Sequence, residues 1–199
     1  MGINMKNTRQ YVMRSRAEQT AQTRQRILQA TLSLAFERPI VGIALPEVAE
    51  RAHVSVQTIL RQFGSRESLF DAAEAFAERE VLAERETQPG DIDHALETIV
   101  RHYELRGDGV LLLLGQESWE PRAAHITASG RQLHRDWVER AFAPLLPTDD
   151  ADERDTVIDL LVVATDVFTW KLLRRDRGHS PAETVARMKR MVAALLERI

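Results

Sequence analysis

The 199-residue chain contains no cysteine, which excludes disulfide bonds and thiolate metal sites and is typical of proteins in a reducing compartment. Its longest apolar runs, VLLLL and LLVVA, are five residues each, far short of the ~20 residues that a membrane-spanning helix needs. The first ten residues contain no apolar signal core, and Lys6 stands where a myristoylation signal requires Ser or Thr. These absences predict a cytoplasmic protein.

Strand signals are also lacking, because no alternating β-branched runs and no Asn-Gly or Asp-Gly hairpin turns between such runs are found. Apolar residues recur instead at helical spacing. The spacing predicts helices over 16–37, 45–52, 56–63, 66–86, 152–176 and 181–198, with chain breaks at RGDG (106–109) and around Pro121. The sequence therefore predicts an all-α fold with two domains. An N-terminal three-helix domain (1–66) would contain a helix-turn-helix, and a helical C-terminal domain would span 67–199.

Charge is distributed unevenly along the chain. Residues 1–70 contain ten Lys and Arg against five acids, a balance of +5, whereas the remainder carries −8. A basic end on an acidic protein indicates that the first third contacts a polyanion. Residues 5–16 hold four basic residues and no acid. We expect residues 1–16 to be a flexible basic arm, which either follows a DNA minor groove or is a solvated tail.

The segment RAHVSVQTILRQFGSRESL (51–69) contains the connection AHVS (52–55) between two helices of about eight residues, which are too short to persist alone in water. They must pack on their longer neighbours, which is the arrangement of a helix-turn-helix unit. Ser55 is placed to cap the second helix and to leave its N-terminal N–H groups for a phosphate. The outward face of that helix carries side chains suited to reading base edges in the major groove: Val56, Gln57, Thr58 and Arg61.

The segment TRQRILQATLSLAFERP…LPEVAERAHVSVQTILRQFGSRESLFDAA resembles the DNA-binding domain of the tetracycline-repressor (TetR) family of bacterial transcription regulators. Two later segments, HRDWVERAFAPLL (134–146) and ATDVFTWKLLRRDRGHSPAET (164–184), are similar to C-terminal parts of such regulators. The resemblance implies a homodimer that binds double-stranded DNA at a palindromic operator. It further implies a repressor that is released by a small, largely hydrophobic effector.

The resemblance assigns roles to individual residues. Phosphate contacts fall to Thr23, Arg24, Gln62 and Arg66. The residues nearest the bases are Gln57, Thr58 and Arg61. The implied dimer interface lies on the last two long helices and includes Leu160, Ala164, Phe168, Val185, Met188 and Val192.

The chain departs from the family pattern at several positions of the DNA-binding domain. His53 stands where the turn usually has Gly and must tolerate a positive φ. Leu60 replaces the usual Tyr and removes one expected phosphate contact, while Gln62 replaces a His but keeps its capacity for hydrogen bonds. Arg66 replaces Lys, and Ala44 replaces the usual Thr cap.

The C-terminal domain lacks phosphate loops, HExxH and nucleophile-elbow motifs, and its histidines are scattered. We therefore expect no cofactor, no metal and no enzymatic activity. The candidate effector pocket comprises His102, Tyr103, Gln116, Trp119, Trp137, Asp166 and Trp170. For Trp137 and Trp170, plain core packing is the other interpretation. The competing functional hypothesis is a helical binding protein or enzyme that retains a degenerate DNA-binding domain.

Overall fold

The computed structural model describes the backbone of residues 5–197 and the side chains of residues 17–197, and this part of the chain contains helices and no strand. The prediction of an all-α fold is therefore confirmed. The helices are α1 (Met5–Glu37), α2 (Leu45–Arg51), α3 (Val56–Phe63), α4 (Arg66–Glu84), α5 (Ile92–Leu114), α6 (Pro121–Ala141), α7 (Ala151–Thr165), α8 (Val167–Lys171) and α9 (Pro181–Leu196). Among the described residues, none of these helices is long and apolar enough to cross a membrane. The side chains of the predicted basic arm, 1–16, lie outside the described residues.

The chain divides into two compact units, which we call the head (Met1–Ala77) and the body (Glu78–Ile199); the division falls within α4. The head is held together by apolar residues on the inner faces of its helices. Ile27 and Leu34 of α1, Val48 of α2, Ile59 of α3 and Leu69 of α4 are each no more than 4% exposed. Because α2 and α3 are too short to be stable alone, this shared core stabilises them.

The turn between α2 and α3 contains His53, whose φ of 53° lies in the left-handed region. The His53 N–H donates to the Glu50 carbonyl at 3.1 Å, and the Val54 N–H donates to the Ala49 carbonyl at 2.9 Å. These two bonds form a Schellman cap, in which glycine is the usual residue at the left-handed position. His53 therefore carries a backbone strain of about 1 kcal/mol that glycine would avoid.

The centre of the body is α5, which packs against α6, α8 and α9. Leu96 and Ile99 of α5 are fully buried in a core that also contains Trp137 of α6, Leu161 of α7 and Met188 of α9. Local signals fix the starts of these helices. Asp91 accepts from the His94 N–H at the start of α5, Pro121 is the first residue of α6, and Ser180 and Glu183 form a capping box at the start of α9.

The predicted chain break at RGDG (106–109) is wrong, because α5 continues through these residues. A Cβ built on Gly107 would lie 2.5 Å from a ring carbon of Trp170, so only glycine allows the indole to approach the helix this closely. Gly107 therefore serves helix packing, although its neighbours in sequence are typical of a turn.

The single helix predicted over 152–176 is divided in the structure. Helix α7 ends at Thr165, and Asp166 takes an extended conformation, with its carboxylate accepting from the Phe168 N–H at 2.8 Å to cap α8. The Thr165 hydroxyl also donates to the Leu161 carbonyl at 2.7 Å within the last turn of α7. Such side-chain bonds to the backbone compete with helix continuation. A π-helical turn, Leu172–Asp176, follows α8.

Candidate functional site

Helix α3 begins and ends at the residues that the sequence predicts. The Ser55 hydroxyl accepts from the Thr58 N–H at 3.1 Å, and Gly64, with a φ of 84°, ends the helix. Ile59 of α3 is fully buried, so the opposite side of the helix faces solvent.

The outward face of α3 combines polar and apolar groups. Gln57 and Arg61 are exposed and lie one helical turn apart, while Val56 and Thr58 are half-buried. Within the described residues, neither Gln57 nor Arg61 is engaged by a hydrogen bond or an ion pair of the side chain. Leu60 is 41% exposed on the same surface and offers only van der Waals contacts.

The structure brings Arg24 of α1 against the end of α3. Its Nη1 donates to the Gln62 carbonyl at 3.4 Å, and its guanidinium lies 4.3 Å from the centre of the Phe63 ring. The nearby Thr23 hydroxyl donates to the Gln19 carbonyl at 2.8 Å. The Oε1 atom of Gln62 is buried and has no hydrogen-bond partner among the described residues.

Arg66 is used inside the head. Its Nε donates to the Ile43 carbonyl at 3.0 Å, its Nη2 donates to the Ile40 carbonyl at 2.9 Å, and its guanidinium lies 4.6 Å from the centre of the Phe70 ring. These contacts fasten the α1–α2 connection to α4. The phosphate contact expected of Arg66 remains a prediction. Such a contact would have to use Nη1, because Nε and Nη2 already donate to backbone carbonyls.

Other arginines of the head are neutralised by acids. Arg51 pairs with Glu37 at 2.7 Å, and Arg38 pairs with Glu47 at 2.7 Å. The hydrogen bonds from Arg51 and Ser33 lower the pKa of Glu37 to about 2. The net positive charge of the head is thereby concentrated on arginines outside these pairs, which include Arg24 and Arg61.

Four of the candidate pocket residues come together in the body, each with a polar partner. The Tyr103 hydroxyl donates to the Thr165 carbonyl at 3.0 Å, and the Trp137 indole donates to the Arg85 carbonyl at 2.9 Å. The Trp170 indole donates to Glu104 at 2.8 Å, and His102 Nδ1 lies 2.9 Å from Glu84.

The remaining three candidates differ in position. Asp166 caps α8 and acts through space on Tyr103 and Arg85, whereas Gln116 is buried and donates to the Leu112 carbonyl at 2.9 Å and Trp119 is 54% exposed.

A closed circuit of contacts, which we call the polar ring, surrounds the middle of the body. The Arg85 guanidinium lies 5.8 Å from the centre of the Tyr103 ring, and Tyr103 reaches Thr165 as described. The Thr165 hydroxyl lies 3.2 Å from His134 Nε2, and the His134 ring stacks on Trp137 with centroids 5.6 Å apart. Trp137 closes the circuit at the Arg85 carbonyl. Arg85 could not be predicted from the sequence, because the charged segment LAERETQPGD around it is typical of a solvated helix end.

His134 of the polar ring and the neighbouring His102 are neutral near pH 7. Burial lowers the pKa of His102 to about 4, although the hydrogen bond to Glu84 opposes the shift. Burial, with the positive charge of Arg85, lowers the pKa of His134 to about 3. Burial also raises the pKa of Tyr103, which stays protonated. A neutral His102 donates from Nδ1 to Glu84, and the same carboxylate accepts a short bond from Arg106.

Two polar atoms of the polar ring have no hydrogen-bond partner among the described residues: Nε of Arg85 and Nδ1 of His134. A cleft of about 440 Å³ adjoins the ring and is lined by both Arg85 and Trp137. This volume lies within the range of small-molecule sites, which bind their ligands with a few placed polar groups in a mostly apolar lining.

Three residues predicted at the dimer interface lie instead in the core of the body. Met188 and Val192 are 0% exposed and Ala164 is 5% exposed, so their surfaces are already buried within the protomer. Their helical spacing reflects packing inside the chain. Leu160 and Phe168 are 45% and 52% exposed, and Val185 is half-buried.

A comparison with protein-family models matches the part of the chain that contains α2 and α3. Residues 27–73 match the family model of bacterial regulatory proteins of the tetR family. A search among curated proteins found no match.

Several solved structures share the fold of the chain. A transcriptional regulator from Rhodococcus sp. Rha1 is 19% identical, with 88% of this chain and 96% of that chain covered and a TM-score of 0.65. A tetR-family transcriptional regulator from Streptomyces coelicolor is 20% identical, with 87% and 79% covered and a TM-score of 0.66. A TetR transcriptional regulator from Streptococcus agalactiae 2603V is 21% identical, with 90% and 98% covered and a TM-score of 0.58. The segment 27–73 therefore matches the tetR family of bacterial regulatory proteins, and the chain shares its fold with solved structures that include a tetR-family transcriptional regulator.

Proposed function

We propose that this protein is a ligand-responsive repressor that binds a palindromic operator as a homodimer and is released by a small effector. The observation that carries the proposal is the outward face of α3, where Gln57 and Arg61 are exposed, one turn apart and not engaged by other described side chains. Such side chains on a capped, outward-facing helix are suited to reading base edges in a major groove.

Each part of the head surface has a chemical role in this proposal. Arg61 pairs with guanine and Gln57 with adenine, while the methyl groups of Val56 and Thr58 contact thymine. Phosphates are held by Thr23, Arg24, Gln62 and Arg66 and by the N–H groups that follow Ser55. Phosphate contacts supply most of the affinity, and the base contacts supply the specificity.

Exposed apolar side chains on neighbouring elements of the body support a homodimer. Leu160 and Val163 of α7, Phe168 of α8 and the following Leu172 are 45%, 64%, 52% and 59% exposed. We propose that these residues, with Val185 of α9, form a self-complementary interface between two copies of the chain. Twofold symmetry would then set the two α3 helices about 34–36 Å apart, the spacing of successive major grooves.

A sedimentation measurement tests the interface. We expect the wild-type protein to sediment as a dimer and Phe168→Glu to shift the population to monomer, because the new charge would be buried against the partner. Val41→Glu places the same charge on an exposed valine of the head and should leave the dimer intact. A wild-type monomer at micromolar concentration would contradict the proposed dimer.

Effector release is proposed as a population shift. Helix α4 runs from the head into the body, so it is the covalent link between the DNA-binding surface and the effector site. An effector that binds one state of the dimer more tightly than the DNA-binding state lowers the affinity for the operator by the ratio of its two affinities.

Selection of genomic DNA fragments by the purified protein tests the function. The wild-type protein should enrich fragments that share one palindromic sequence, and the double variant Gln57→Ala/Arg61→Ala should enrich none. Arg177→Ala removes an exposed arginine of the body and should enrich the same palindrome as the wild-type protein. Equal recovery of all fragments by the wild-type protein would disprove sequence-specific regulation.

A further inference from the structure

The polar ring contains a positive charge without a matching negative one. Arg85 takes part in none of the ion pairs found among the described residues, and its Nε is buried without a hydrogen-bond partner. Burying a charged group without a partner is costly, and native structures rarely retain such an atom without a function.

Two acids that act on Arg85 through space already have other partners. Glu84 accepts from Arg106 and His102, with Arg106 Nε at 2.8 Å and His102 Nδ1 at 2.9 Å. Asp166 accepts from the Phe168 N–H at 2.8 Å as the cap of α8. Both carboxylates act on Arg85 only through space, and the neighbouring Arg106 opposes them.

The cleft of about 440 Å³ gives Arg85 access to a ligand. Its lining is otherwise mostly apolar or uncharged and includes Leu82, Pro89 and Trp137, and its charged side chains besides Arg85 are Arg140 and Glu86. The two arginines outweigh the one acid, so the cleft favours an anion over a cation. An apolar wall beside the half-buried Arg85 suits a molecule with a hydrocarbon or aromatic part and one carboxylate.

We propose that the effector is a small organic anion whose carboxylate pairs with Arg85, while its apolar part lies against Trp137. This inference rests on the proposed function, because it names the chemical class of the effector of the same regulator. Arg85 supplies charge and a planar pair of donors, which a carboxylate matches with two parallel hydrogen bonds.

The first experiment needs no knowledge of the effector. Arg85→Met removes the charge but keeps an unbranched apolar side chain. We expect it to raise the melting temperature of the full-length protein by about 2 °C or more, because a half-buried charge without an ion-pair partner is lost. Arg177→Met, at an exposed site, should shift the melting temperature by less than about 1 °C. A lower melting temperature for Arg85→Met would show that Arg85 is a structural partner and would overturn the proposal.

The second experiment uses matched probes. Benzoate, phenylacetate, cinnamate, octanoate and decanoate are each compared with the corresponding primary amide by thermal shift and calorimetry. We expect at least one carboxylate to stabilise the wild-type and Arg177→Met proteins. The affinity of its amide for these proteins should be at least ten-fold weaker. The affinity of the same carboxylate for Arg85→Met should also be at least ten-fold weaker than for the wild-type protein. Equal binding of acids and amides, retained binding by Arg85→Met, or stabilisation by no carboxylate would each overturn the assignment.

Neither experiment involves DNA, so the two proposals fail separately. A wild-type protein that binds carboxylates through Arg85 but enriches no palindrome would refute the regulator and leave the anion site. A protein that enriches a palindrome but shows no preference for carboxylates would refute only the anion site.

Discussion

The outward face of α3 and the polar ring both contain polar side chains without a hydrogen-bond partner among the described residues, but these side chains lie in opposite environments. In the head, Gln57 and Arg61 project into solvent, where water satisfies them at little cost. In the body, Arg85 Nε and His134 Nδ1 are buried, where an unmet hydrogen bond costs about 1–3 kcal/mol. The comparison indicates that substitutions on the outward face of α3 change binding without changing stability, whereas substitutions in the body change stability first.

The largest effect is expected at Gly107. A methyl group at this position meets the Trp170 ring at 2.5 Å, so Gly107→Ala should lower the free energy of unfolding of the body by about 1–3 kcal/mol through overpacking. Gly130→Ala is the matched control, because nothing lies within 4 Å of the added carbon on α6. It should raise stability by about 0.5–1 kcal/mol. Urea unfolding followed by tryptophan fluorescence measures both, since all three tryptophans lie in the body. Equal effects of the two substitutions would contradict the packing role of Gly107.

Acid should weaken the body, because three buried or half-buried groups resist protonation there. The pKa of His102 is lowered from 6.5 to about 4, so the unfolded chain binds a proton that the folded chain refuses. Stability is therefore complete above pH 6.5 and is lost as the pH falls toward 4. His134, with a pKa of about 3, acts in the same direction, and Glu84, lowered from 4.5 to about 2, extends the loss below pH 4.5.

Unfolding measured between pH 7 and pH 4 checks this dependence. His102→Asn should flatten the dependence of the unfolding free energy on pH, as monitored by tryptophan fluorescence. Asparagine does not titrate, so the difference in proton binding between the folded and unfolded chains is smaller by one group. His94→Gln, at an exposed histidine on the same helix, should leave the profile unchanged. A wild-type body that is equally stable across this range would contradict the burial of neutral histidines.

Local signals explain which parts of the structure are predictable from the sequence. The bounds of α3 and the cap at Ser55 are fixed by hydrogen bonds within four residues, so the pattern predicts them. The exposed face of α3 follows from the same spacing, since the burial of Ile59 determines it.

The errors arise where a distant partner decides the outcome. The sequence around Gly107 is typical of a turn, and the packing of Trp170 against Gly107, which explains the glycine, cannot be read from neighbouring residues. Met188 and Val192 have the spacing of an interface helix, but α5 and α7 cover them within the protomer. Arg85 gives no signal at all, because its significance depends on the burial of one nitrogen atom by residues from other helices.

A smaller gain is expected in the head at His53. Because its φ of 53° is in the left-handed region, His53→Gly should stabilise the head by about 0.5–1 kcal/mol, after the greater entropy of glycine in the unfolded chain is included. Slower hydrogen exchange of the amides in α2 and α3 would report it. His53→Ala keeps the strain and should give no such protection; equal protection in both variants would argue against strain at this turn.

The smallest effect on stability is expected at Arg61. Its side chain is exposed and not engaged by other described side chains, so Arg61→Ala should change the free energy of unfolding by less than about 0.5 kcal/mol. A larger loss in thermal unfolding would show that Arg61 supports the head itself and would weaken the contrast between the two units.

The central claim is that the outward face of α3 reads bases, and one measurement tests it most directly. It is the ratio of the affinities for the selected palindrome and for a scrambled duplex of equal length, at one salt concentration. Arg61→Ala should reduce this ratio by about ten-fold or more, because a base contact is lost. Arg24→Ala should weaken binding to both duplexes by a similar factor, because a phosphate contact is lost. An unchanged ratio in Arg61→Ala would contradict base reading by the outward face of α3.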